Sequence, residues 1–85
     1  MDIYNFLKKV SDSGVRGFGL KVLVYLLSSN LYDRENNTIR ITQRQIARDL
    51  DIEQCMANKS IAELKDKNII SVEKISGKNT YTFIA

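Results

Sequence analysis

The sequence contains no histidine, no proline and a single cysteine, Cys55. One cysteine cannot build an internal disulfide framework, and without histidine the common Cys/His zinc sites cannot be assembled within one chain. No apolar run approaches the roughly 20 residues of a membrane span. The first ten residues are interrupted by polar and charged side chains where a secretory signal would need an unbroken apolar stretch. Internal repeats and low-complexity segments are missing too. These absences point to a cytoplasmic protein with no metal or cofactor and no membrane partner.

What remains is an 85-residue chain with 13 basic and 10 acidic side chains and a pI near 9.1. A chain of this length supports one core and not two. The mild basic excess suits a polyanionic partner but makes no arm that would bind nucleic acid by charge alone.

Hydrophobic spacing gives the elements. Ile3, Phe6, Leu7 and Val10 fall on one face of a short amphipathic helix, which the Ser-Asp-Ser-Gly run of residues 11 to 14 should end as a loose joint. Arg16-Gly17-Phe18-Gly19 lacks the preceding strand and the Gly-Lys-Ser/Thr ending of a phosphate loop and reads as the lead-in to a longer helix. From about Phe18 to Asn30 that helix carries two apolar stripes, Val22, Leu23, Leu26 and Leu20, Val24, Leu27, Leu31, so both sides are expected to be covered. Residues 31 to 37 read as a polar turn, and Thr38-Ile39-Arg40-Ile41 alternates as a brief strand would.

Thr42 and Gln45 are spaced as a capping box, which starts a helix at about Gln43 with Ile46, Ala47 and Leu50 inward. Asp51-Ile52 breaks the period, and a second helix from about Glu53 to Lys67 turns Ala57, Ile61 and Leu64 inward beside Ser60. Two helices crossing steeply through so short a turn, around a small Ala47, form a helix-turn-helix. Residues 69 to 75 and 80 to 84 are β-rich and flank Ser76-Gly77-Lys78-Asn79, which predicts a hairpin.

The series Thr-Gln-Arg-Gln-Ile-Ala, Leu-Asp-Ile, Ile61-x-x-Leu64 and Lys67-Asn68-Ile69-Ile70, closed by a hairpin, resembles the winged helix-turn-helix superfamily over roughly residues 18 to 85. Within it the chain is similar to multiple-antibiotic-resistance-type regulators and, through Lys21 to Leu27 and the motif, to RepL-type plasmid replication initiators. The resemblance implies an α+β fold with a three-helix core and a C-terminal wing, here with an extra N-terminal helix. It implies that residues 53 to 67 form the recognition helix and residues 74 to 80 the wing. Asp51 stands where many relatives have glycine; Asp tolerates the left-handed conformation that the turn needs.

Gln54, Asn58 and Lys59 face away from the apolar stripe. On an isolated helix they would be a solvated face, but on a recognition helix that face meets bases: Asn and Gln suit adenine, Lys suits guanine or phosphate. Cys55 shares this face and reads as an unreactive, half-exposed thiol. Gln43 and Arg44, in the first turn of the preceding helix, suit a phosphate. Lys74, Lys78 and Asn79 at the hairpin tip suit DNA backbone or minor groove. Asp49, Asp51 and Glu53 lack the histidine or pocket that catalysis would need.

The expected function is sequence-specific binding of double-stranded DNA, as a transcription regulator and not an enzyme. The rivals are origin binding in plasmid or phage replication, and a winged helix serving only as a protein-interaction scaffold. Few residues remain for a small-molecule effector. Residues 1–12 are set apart from a DNA-binding unit at 15–85. They either fold back on their own long helix or cross to that of a partner; the crossing is the expectation, and it gives a homodimer through the N-terminal and long helices.

Overall fold

Asp2 starts the first helix by accepting hydrogen bonds from the N–H groups of Tyr4 (3.0 Å) and Asn5 (3.3 Å), which satisfies donors that the helix itself cannot. The computed structural model describes residues 2–75 and 78–84. It contains four helices, α1 (Ile3–Ser13), α2 (Phe18–Ser28), α3 (Gln43–Leu50) and α4 (Gln54–Asp66), and four strands, β1 (Tyr32–Asp33), β2 (Thr38–Arg40), β3 (Ile70–Ile75) and β4 (Lys78–Phe83).

α1 ends at the Ser-Asp-Ser-Gly run, though at its last residue: the helix continues through Ser13, and Gly14, in the left-handed conformation at φ 79, supplies the stop. Its docking is intramolecular. Phe6 and Val10 are buried, and the Phe6 ring meets Phe83 edge-on at 5.9 Å, while Phe83 stacks on Tyr32 at 5.2 Å. Lys9 Nζ donates to the carbonyls of Asn68 (2.5 Å) and Ile84 (3.2 Å). Lys67 Nζ reaches back to the Ser13 carbonyl.

α2 buries Val22, Leu23 and Leu26, the first of its two stripes. The expectation that both sides are covered fails within one chain: Leu20, Val24 and Leu31 are 40%, 56% and 55% exposed. α1 leaves that stripe bare: the side chains it buries are Phe6, which meets Phe83, and Val10, while its own Ile3 and Leu7 are exposed as well. Gly19 leaves room at the α2–α4 crossing for the Glu63 carboxylate, which a Cβ there would displace.

The stretch expected to be a polar turn contains β1, which pairs with β2 through Tyr32↔Ile39 and Asp33↔Thr38. Polar turn chemistry at Asn36 and Asn37 concealed a two-residue strand, below the length at which alternation can be read. The sheet is antiparallel in the order β1-β2-β4-β3. Tyr81 and Phe83 of β4 face inward and are buried beside Ile39 and Ile70, as period-two alternation requires. Lys78 and Asn79 belong to β4, paired with Ile75 and Lys74, and not to the turn. Ser76 and Gly77 of the expected turn lie outside the described residues.

Candidate nucleic-acid interface

α3 starts where the spacing predicts. The Thr42 hydroxyl accepts from the Gln45 N–H at 3.1 Å, but the reciprocal half of the capping box is missing: Gln45 Nε2 instead donates to Asp49 Oδ1 at 2.7 Å. The charged Asp49 acceptor, one turn along, holds the Gln45 side chain through its amide N–H. Asp49 also accepts from the Tyr25 hydroxyl of α2 at 2.5 Å. Partial burial and then this carboxylate push the Tyr25 hydroxyl up to about 12.

The turn between the helices is closed by backbone geometry. Asp51 adopts the left-handed conformation at φ 54, and the Ile52 N–H reaches back to the Ala47 carbonyl at 2.9 Å. Ile46 and Ala47 of α3 are buried against Ala57, Ser60, Ile61 and Leu64 of α4, and Ile52 packs at the corner. The inward set on α4 follows helical spacing, so the outward set follows as well. Gln54, Cys55, Asn58 and Lys59 are all exposed. The Cys55 thiol donates to the Glu53 carboxylate at 3.5 Å.

Gln43 and Asn79 converge on one atom. The Tyr81 hydroxyl is hydrogen-bonded by Asn79 Nδ2 at 3.1 Å and by the Gln43 side chain, and burial raises the pKa of that hydroxyl. Both amides, expected to meet DNA, therefore join the start of α3 to the wing strand. Arg44 is exposed on the first turn of α3, and Lys74 and Lys78 are exposed on the hairpin.

Arg40, absent from the residues that spacing and resemblance point to, is exposed on β2 beside this region. The alternation of residues 38 to 41 already turned it outward; what hid its place was the pairing of β2 with β4. The expectation that little chain remains for a ligand pocket meets an indentation of about 730 Å³ between Ile3, Leu27, Tyr32, Arg34 and Asn37, which is not an enclosed cavity. Among the described residues no helix is long and apolar enough to cross a membrane, and no cluster of three or more His, Cys, Asp or Glu side chains is placed to hold a metal ion.

No family model and no curated protein matches the chain. Solved structures do. HlyU from Vibrio cholerae is similar over 99% of this chain and 80% of its own, with a TM-score of 0.64 at 13% identity. A homodimeric winged helix-turn-helix DNA-binding domain of a possible ArsR-family transcriptional regulator from Mycobacterium bovis matches over 98% of this chain and 68% of its own, with a TM-score of 0.62 at 13% identity. The ferric uptake regulator of Vibrio cholerae matches over 92% of this chain and 60% of its own, with a TM-score of 0.59 at 17% identity. At these identities the likeness is one of backbone, and the α3-turn-α4 pair with the β3–β4 hairpin gives it its name: the chain has the winged helix-turn-helix fold.

Proposed function

We propose that the protein binds double-stranded DNA sequence-specifically, without catalysis, as a cytoplasmic regulator of transcription. The observation that carries this reading is the outer face of α4, where Gln54, Asn58 and Lys59 are exposed while the opposite face is buried against α2 and α3. A helix so presented fits the major groove, where amide side chains pair with adenine edges and Lys with guanine or phosphate. The exposed Arg44, Lys74 and Lys78 flank it and supply contacts that fix register. The Mycobacterium bovis neighbour, a DNA-binding domain, supports the same reading. Selecting bound sites from random duplex DNA tests it: a recovered consensus at promoters is the expected result, a consensus at a replication origin would move the role to initiation, and no enrichment would refute DNA reading.

The reading extends to a homodimer. Leu20 and Val24 of α2, with Ile3 and Leu7 of α1, are exposed apolar side chains, and water would be removed from them if two copies met across a two-fold axis. The homodimeric state of the Mycobacterium bovis domain supports this assembly. A two-fold pair sets its recognition helices ~34 Å apart and predicts an inverted-repeat site. Truncation of α1 is a poor test, since it removes Phe6 and Val10 from the core; sedimentation equilibrium on a Leu20→Glu/Val24→Glu variant is a clean one.

A further inference from the structure

Arg40 and Lys78 are far apart in sequence and neighbours on the sheet. Arg40 pairs with Thr80; paired residues share a face, and so do residues two apart on one strand, which puts Arg40, Thr80 and Lys78 on a common face. It is the face opposite to buried Ile39 and Tyr81. The Ile41 N–H donates to the Asn79 carbonyl at 3.1 Å, so the pairing runs one step past β2 and sets Lys78 beside Thr42, the residue before α3. The same groove is lined by Arg40, Thr42, Gln45, Asp49 and Lys78.

We propose that Arg40 and Lys78 form one seat for the DNA sugar-phosphate backbone, bridging the start of α3 and the wing. The inference rests on the DNA-binding reading above and adds to it a residue and a contact point. Two cations at this place hold a strand without reading it, because phosphate contacts position a protein and carry no base information. Arg40 offers a planar fork suited to phosphate oxygens and Lys78 a mobile point charge. Two carboxylates lie nearby: Asp49, whose oxygens accept hydrogen bonds from Tyr25 and Gln45, and Glu73, on the same sheet face across Thr80 from Arg40. The seat also explains why Gln43 and Asn79 are tied to Tyr81: that link fixes the spacing between the two elements that carry its halves.

The test is the salt dependence of binding by the full chain to a labelled random-sequence duplex. Each phosphate contact contributes about 0.9 to the slope of log affinity against log salt. Arg40→Ala should lower the slope by about 0.9 and the Arg40→Ala/Lys78→Ala pair by about 1.8. Arg40→Lys should restore the slope, and Lys8→Ala, on α1, should keep the parental one. A parental slope in Arg40→Ala, or an equal loss in Lys8→Ala, overturns the seat while the DNA reading stands. No binding by the parent at about 50 mM salt overturns both.

Discussion

The two ends of the chain present opposite surfaces. Every exposed large apolar side chain among the described residues lies between Ile3 and Leu31, whereas the outward face of α4 offers Gln54, Asn58 and Lys59. Both regions are amphipathic helices on one core, so amphipathicity alone does not distinguish them. The difference is in what lies on the second face. On α4 it is polar and complete in water; on α2 it is apolar, and a single chain leaves it wet. Contiguous apolar surface on a small protein marks a place where another surface belongs.

The largest expected effect asks whether the two regions are one unit. Phe6 is fully buried against Phe83, so Phe6→Ala should cost about 3–5 kcal/mol and unfold the helix-turn-helix together with α1. Urea denaturation followed by circular dichroism and by DNA binding should give one shared transition; separate transitions would divide residues 1–12 from the remainder.

Next in size is the apolar face. Leu20→Glu/Val24→Glu should weaken a homodimer by roughly 100-fold or more, given about 1.5–3 kcal/mol for each side chain so buried, while circular dichroism remains that of a folded chain. A parent that sediments as a monomer at micromolar concentration would remove the dimer. On the polar face Asn58→Ala should lose roughly 1–3 kcal/mol of discrimination at one base pair, and Lys59→Ala should weaken all sequences alike if its contact is phosphate. Parental site preference in both variants would show that α4 reads DNA with another face or not at all.

The smallest effect lies where the two regions are joined, at Tyr25 and Asp49. Because the Tyr25 hydroxyl is pushed up to about 12 from its ordinary 10.0, the folded state holds that proton more tightly. The stabilisation is whole below about pH 10 and is lost as pH rises towards 12. Tyr25→Phe should flatten this limb of a pH–stability curve and leave a remnant of the same sign from Tyr81, whose hydroxyl burial also raises. An unchanged limb would assign the alkaline loss to Tyr81 alone.

Much of this was legible in the residues, for local reasons. The Thr42 cap, the inward sets of α3 and α4, the left-handed Asp51 and the alternating Tyr81 and Phe83 are dictated by spacing and by side-chain chemistry within a few positions. β1 was not legible because two residues carry no period. The missing half of the capping box was not either, since Gln45 had two partners within reach and its side chain is held by Asp49.

The sequence by itself determined which faces are apolar, where the helices begin and turn, and that no disulfide or histidine-bearing zinc site is built. Only the tertiary structure decided which chemistry those faces share. It brought Gln43 and Asn79 to one hydroxyl, set Arg40 near Lys78, docked α1 on Phe83 and left the second stripe of α2 bare. The reason is one of range: helix and strand periods act over a few residues, whereas pairing β2 with β4 joins positions some forty residues apart, and no local pattern encodes which strand a strand will meet.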